Sequence, residues 1–325
     1  MKIAIVGAGA IGGWLGVGLA QAGEEVCVFA RGATLDAIRR NGLRMSIGGK
    51  TETGEVSVSD DVGDLGLQDL VIIAVKEPAL APVAPVVSKM IGPDTVVLPA
   101  MNGVPWWFAE GLGGPIAGMS IRAVDPDGSV ASYIPTRQVL GCVVHAAAAV
   151  SKPGFIRHHS GNGLIIGEPD GSDSFRVHRI RNVLAGAGFD VTISRKIQRD
   201  IWYKLWGNMT INPISALTGA TTEDILDDPL VNSFVLAVMA EAAEIGSRIG
   251  CPISESGEDR MKVTRKLGAF KTSMLQDAEA GRPLEIDTLI AAPREIAAKI
   301  GIATPYMDTL HGLIRLYSLH SHRQS

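Results

Sequence analysis

A lysine and two asparagines recur every fourth residue in Ile201-Trp202-Tyr203-Lys204-Leu205-Trp206-Gly207-Asn208-Met209-Thr210-Ile211-Asn212-Pro213. On a helix, Lys204, Asn208 and Asn212 would form one slowly drifting face. Their neighbours are apolar and aromatic, so this polar stripe needs partners or water. An ammonium group in such a place can stabilise negative charge developing on a carbonyl oxygen and hand it a proton. Solvent exposure is the plain alternative for a lone lysine. A second candidate segment runs from Ser273 to Asp277 and on to Glu285-Ile286-Asp287. Ser273 as a helix cap, and Glu285 and Asp287 as acids of a first helical turn, would account for those residues without chemistry, and on the residues alone that explanation leads. A third candidate is Asn102-Gly103, after the apolar run Thr95–Pro99. Asn102 can donate to a substrate oxygen, brace a nicotinamide, or simply turn the chain with Gly103. Functional and structural readings stand even there.

The N-terminus carries a different kind of site. Gly7-Ala8-Gly9-Ala10-Ile11-Gly12 reads G-x-G-x-x-G directly after the apolar run Lys2–Val6 and before a helical stretch, Ala10–Ala22. In such a loop the first glycine permits the tight turn, the second lets backbone approach a pyrophosphate, and the third lets helix pack on strand. The helix N-terminus adds unpaired N–H groups and a positive dipole end. An NAD site wants an acid at the end of the second strand, about 20 residues beyond the loop. The sequence there is Phe29-Ala30-Arg31, with no acid until Asp36. Arg31 suits a ribose 2′-phosphate, since guanidinium binds phosphate through paired donors. Lys76, just past the run Leu70–Val75, adds a second positive charge. The expected cofactor is NADP(H).

The elements that must position these residues can be read from the same chain. The short runs at 2–6, 26–30, 70–75 and 95–99 are continuously apolar, as strands covered on both faces are. Helical stretches between them give a β-α-β rhythm and predict an α/β fold with a doubly wound sheet. The stretch 139–167, rich in glycine and β-branched residues, is expected to add strands to the same unit. The texture changes near Ser194. Beyond it helical periodicity dominates, with helices expected over 229–249, 258–280, 285–300 and 305–318. The expected domains are therefore a nucleotide-binding unit over 1–194 and an all-α unit over 195–325 that carries the catalytic residues. The tail from His320 is expected to fray.

Composition bounds the function. The 325 residues carry 30 Lys and Arg against 34 Asp and Glu, a formal charge of −4, which offers no electrostatic footprint for nucleic acid. Three scattered cysteines make neither a disulfide framework nor a zinc cage, and a reducing cytoplasm is the expected setting. No apolar run reaches the length of a membrane span without a charge or turn signal. There is no G-x-S-x-G, and no histidine pair has a metal-binding spacing. Twenty-nine of the 38 glycines fall in residues 1–195, the nucleotide-binding half.

Taken together, GAGAIG at the start, Arg31, Lys76, Asn102-Gly103, the K-x₃-N-x₃-N-P segment at 204–213 and the S-M-x-x-D…E-I-D stretch from Ser273 to Asp287 resemble the ketopantoate reductase (2-dehydropantoate 2-reductase) family over nearly the whole chain. The resemblance implies an N-terminal Rossmann domain, a C-terminal helical domain, and a small 2-oxo acid substrate bound in the cleft between them. It implies that Lys204 matches the catalytic lysine and Glu285 the active-site glutamate. Asn102, Asn208, Asn212 and Ser273 match residues around substrate and nicotinamide. A homodimer through the helical domain is compatible with it. Two departures bear on the substrate. Where family members commonly carry Asn-Gly after E-I-D, this chain reads Thr288-Leu289-Ile290-Ala291-Ala292-Pro293, and Pro293 is expected to kink that helix or start a new one. A bulky run, Val104-Pro105-Trp106-Trp107-Phe108, also follows Asn102-Gly103, as core packing or as a reshaped pocket wall. The rival readings are an NADP-dependent reductase of another oxo acid, an aldehyde or an imine, and a non-catalytic NADP(H) sensor.

Overall fold

The computed structural model describes residues 1–266 and 268–321. Of the tail expected to fray from His320, His320 and Ser321 close the last helix and residues 322–325 lie outside the described residues. Contacts divide the chain into two compact units, one of residues 1–101 with 128–197, the other of 102–127 with 198–325.

The first unit is α/β, as the apolar runs require. Strands β1 (Lys2–Val6), β2 (Glu25–Phe29), β5 (Ser57–Ser59), β6 (Gln68–Ile73) and β7 (Ile91–Pro99) form a parallel sheet in the order β5-β2-β1-β6-β7. Helices α1 (Ala10–Gln21), α2 (Gly32–Asn41) and α3 (Leu80–Ser88) join its strands. Ile3, Ile5, Val28, Leu70, Ile72 and Leu98 are fully buried, which is why these strands lack alternation. Strand order reverses at β1, with β2 on one side and β6 on the other, and open α/β sheets bind ligands at the carboxyl ends of such strands.

The remaining strands form a separate sheet, which the sequence pattern does not predict. Strands β3 (Leu43–Ile47), β4 (Lys50–Gly54), β9 (Phe155–Gly167) and β10 (Asp190–Ile193) order as β10-β9-β3-β4, and β8 (Gly141–Lys152) pairs antiparallel with β9. Helix α1 packs on both sheets. A Cβ on Gly13 would lie 2.1 Å from Ile156 of β9, and one on Gly16 2.9 Å from Leu43 of β3. The glycine excess thus serves close packing around α1 as well as the loop before it. The unit also holds the short α4 (Ser129–Tyr133) and α5 (Phe175–Gly186).

The second unit is helical. It is built of α6 (Ile197–Thr218), α7 (Thr222–Asp227), α8 (Pro229–Arg248), α9 (Gly257–Arg265), α10 (Ser273–Glu279), a π turn over Asp287–Ala291, α11 (Ala292–Lys299) and α12 (Pro305–Ser321). The helix expected over 258–280 is two helices. Gly268 takes φ +63°, and Thr272 caps α10 by accepting from the Leu275 N–H. Helix α8 is apolar enough by length and composition to span a membrane, with mean hydropathy 1.3. Within this unit it is a packing helix: Val235, Val238, Met239, Ala242 and Ile245 are buried, and the Glu241 carboxylate caps α12 by accepting from the Tyr306 and Met307 N–H groups.

The sequence predicts a single cut near Ser194. The later cut falls at 197/198, and residues 102–127 belong with the helices. The reason is hydrogen bonding and aromatic packing over long sequence separations. Glu295 of α11 accepts from the Arg122 and Ala123 N–H groups, Gln198 donates to the Glu110 carbonyl, and Phe108 packs on Trp202 with ring centroids 5.9 Å apart. Trp106, Trp107 and Phe108 are buried, which supports the core-packing reading.

Candidate active site

In the first unit three loops leave the carboxyl ends of the neighbouring strands β2, β1 and β6. Gly7 takes φ +95°, and a Cβ there would meet Val75 at 2.7 Å and the Ala74 carbonyl at 2.9 Å. A Cβ on Gly12 would lie 2.0 Å from the Gly7 carbonyl. These two glycines are required by the protein's own packing. Gly9 is different. Its φ is −75°, and a Cβ there meets nothing within 4 Å. The space above Gly9 is open, as a pyrophosphate lying on the backbone needs. Helix α1 starts at Ala10 with no side-chain cap and no acid in its first turn, so its N-terminal N–H groups face that space uncapped. The cradle Gly7-Ala8-Gly9-Ala10-Ile11-Gly12 therefore fits a dinucleotide.

Arg31 ends the β2 loop as the residue before α2; it is exposed and lies 5.1 Å over the Phe29 ring. Lys76 follows β6, half-buried, at the start of a 3₁₀ turn over Glu77–Ala79. No acid stands where a ribose-binding carboxylate would.

In the second unit α6 delivers the polar stripe. Lys204 and Asn208 are half-buried and Asn212 is buried, while Leu205, Trp206 and Met209 are core residues. Two indoles lock the helix to α8: Trp202 donates to the Ala242 carbonyl at 3.1 Å and Trp206 to the Met239 carbonyl at 2.8 Å. Lys204 Nζ donates to Asn102 Oδ1 at 2.9 Å, across 102 residues of chain. With Oδ1 so engaged, the Asn102 amide has its Nδ2 donors to offer.

The loop bearing Asn102 is itself clamped. Gly103 takes φ +81°, and a Cβ there would lie 2.5 Å from Thr288 Cβ and 2.7 Å from Thr288 backbone. Val104 N–H donates to the Thr288 carbonyl at 2.9 Å. Thr288 sits in the π turn just after Glu285, which is buried at 5% exposure. Gly103 thus serves the turn, while the Asn102 side chain accepts from Lys204. The clamp joins the Asn102 loop to the Glu285 segment. Chain spacing does not signal it; the only hint is the Asn-Gly pair. Pro293 stands in the first turn of a new helix, as one of the two expected outcomes had it: α11 starts at Ala292, directly after the π turn. The chain runs helical from Ile286 to Lys299, and the wider π turn precedes the proline, which has no N–H to donate.

Ser273 is the first residue of α10 and exposed. Capping falls to Thr272, so the structural explanation for Ser273 does not hold. Asp287 opens the π turn, and burial pushes its carboxyl above the usual range. Beside the Lys204 stripe lies a polar group that no sequence motif marks. Tyr203 Oη donates to Glu255 Oε2 at 2.5 Å, and the Arg260 guanidinium lies 4.9 Å over the Tyr203 ring. Burial, and then the bond to Glu255, raise the Tyr203 phenol above its usual range.

A Rossmann-type unit with an open glycine cradle, joined in one chain to a helical unit presenting a lysine and carboxamides, defines a nucleotide-dependent oxidoreductase class. The family model for ketopantoate reductase PanE/ApbA matches residues 3–171, and the model for its C-terminal domain matches residues 196–318. The chain belongs to the ketopantoate reductase family and is an oxidoreductase. It is 41% identical to a 2-dehydropantoate 2-reductase of Mesorhizobium japonicum, with 97% of each chain covered. A Ralstonia solanacearum structure assigned as a ketopantoate reductase superposes with TM-score 0.95 at 56% identity, covering 98% of both chains. D-mandelate dehydrogenase with NADH and anilino(oxo)acetate shares the fold at TM-score 0.84 and 21% identity, over 99% of this chain and all of that one.

Proposed function

We propose that the chain reduces 2-dehydropantoate to pantoate, a 2-oxo acid to its 2-hydroxy acid, with NADPH as reductant. The observation that carries this reading is Lys204 Nζ held on Asn102 Oδ1 at 2.9 Å, on a helix face shared with Asn208 and Asn212. The 41% identical relative named for this activity supports the substrate.

A reduced nicotinamide, when bound, supplies hydride to the substrate's carbonyl carbon. Gly7, Gly9 and Gly12, with Ala8, Ala10 and Ile11, would hold its pyrophosphate on the α1 N-terminus. Arg31 and Lys76 would take the 2′-phosphate, which an acid at the end of β2 would repel. Lys204 does the proton work. Its ammonium points where Asn102 fixes it, stabilises the oxygen that gains charge, and gives that oxygen a proton. Asn102 Nδ2, Asn208, Asn212 and Ser273 are neutral donors that orient the substrate. Glu285, a buried carboxylate, either orients the lysine or accepts from a distal substrate hydroxyl.

The test is steady-state kinetics with 2-dehydropantoate against a panel of other oxo acids, aldehydes and imines, each with NADPH and with NADH. The expected result is the highest kcat/KM for 2-dehydropantoate with NADPH. Faster turnover of another panel member replaces the substrate. Dinucleotide binding with no turnover anywhere replaces the enzyme with a sensor.

A further inference from the structure

Arg260 is the strongest unassigned group beside the Lys204 stripe. It comes from α9 and lies over two residues of α6, stacking on Tyr203 at 4.9 Å and pressing on Gly207. A Cβ at position 207 would stand 3.3 Å from Arg260 Nη2 and 3.4 Å from Nε. Glycine there, in a helix interior where it costs stability, leaves room for the guanidinium. On α6 Gly207 stands at i+3 from Lys204, a neighbouring position on the helix surface. A permanent positive charge therefore flanks the proposed proton donor.

That charge is only partly answered within the protein. Arg260 Nε is buried with no hydrogen-bond partner among the described residues. Glu255, the nearby carboxylate, accepts from the Tyr203 hydroxyl. A buried guanidinium N–H lacking an acceptor is costly, and a carboxylate is the acceptor that matches its planar fork. We propose that Arg260 binds the carboxylate of the 2-oxo acid and sets the preference of this site for acids over neutral carbonyl compounds. This rests on the reaction proposed above. It adds a charged anchor to the neutral donors Asn102 and Ser273, and it divides the work on α6: Lys204 serves the carbonyl oxygen while Arg260, over the neighbouring Gly207, holds the acid end.

The experiment compares wild type with Arg260→Met, which keeps apolar volume over Tyr203, and Arg260→Lys, which keeps a charge. Wild type is first assayed for reduction of 2-dehydropantoate; no turnover there overturns the reaction itself and, with it, the substrate assigned to Arg260. Given turnover, Arg260→Met should raise KM for 2-dehydropantoate about 10–100-fold while kcat stays within a few-fold and NADPH affinity is unchanged. Arg260→Lys should recover most of the KM. Equal KM in all three proteins overturns the assignment. So does a Lys variant as impaired as the Met variant, or a Met variant that loses kcat and NADPH affinity together, because packing over Tyr203 would then be the whole role. Should Arg260→Met fail to fold, Arg260→Gln takes its place in the same assays, with the same KM rise expected and the same outcomes overturning the assignment.

Discussion

Lys204 and Gly9 show how a single residue's surroundings separate a chemical role from a structural one. Lys204 is half-buried on a helix otherwise anchored by tryptophans, and its ammonium donates to the Asn102 carboxamide oxygen. If it is the proton donor, Lys204→Ala should lower turnover roughly 10²–10⁴-fold without loss of the fold, read from kcat and the melting temperature together. Near wild-type turnover would remove it from the mechanism. The glycines allow a cleaner comparison. Gly9→Ala adds a methyl to open space at an ordinary φ, so its melting temperature should match wild type while dinucleotide affinity falls. Gly12→Ala drives a methyl onto the Gly7 carbonyl and should cost stability even without ligand. Equal behaviour of the two variants would mean the cradle is a packing feature only.

Elements act through their ends. The Asn102 loop is fixed because its glycine lies against the π turn, and that turn exists where a helix must start just ahead of Pro293. Helices α11 and α12 are joined by a second polar cluster. Arg294 donates to Asp308 at 2.5 Å and contacts His311 Nδ1 at 2.8 Å. Burial, then the neighbouring Arg294 and Arg315, hold His311 below its ordinary value of 6.5. The folded state therefore favours neutral imidazole, while the unfolded chain takes up the proton more readily. The resulting stability is present above about 6.5 and is lost as pH falls through the folded value. The melting temperature should drop between pH 7 and pH 5, and His311→Gln should flatten part of that drop. An identical pH profile in the variant would place the titration elsewhere.

At the scale of the whole molecule, ligand binding and stability are linked. A dinucleotide that binds only the folded chain stabilises it by RT ln(1 + [L]/Kd), about 2.7 kcal/mol at one hundred times Kd. If Arg31 takes the 2′-phosphate as proposed, NADPH should raise the melting temperature by more than NADH at equal concentration. Arg31→Ala should erase most of that difference and leave the NADH shift nearly intact, because only the 2′-phosphate is removed from its partner. Equal losses for both cofactors would take Arg31 out of the 2′-phosphate site. The three-cut division of the chain belongs to this scale as well. Residues 102–127 lie between strands of the first unit in sequence, yet their hydrogen bonds and aromatic packing place them among the helices.

The sequence by itself determined the parallel sheet, the glycine loop, the missing acid after β2, the polar stripe on α6 and the family. Each is a local pattern: apolar runs, fixed loop spacing, four-residue helical repeats. Tertiary structure alone decided which residues meet. It set Lys204 on Asn102, Gly103 on Thr288 and Arg260 over Tyr203, and it moved the cap from Ser273 to Thr272. It also split the strands into two sheets around α1, and the helix expected over 258–280 into two. Contacts between residues 57 to 185 positions apart leave no period in the chain, because they depend on packing over long closed loops rather than on any neighbour in sequence.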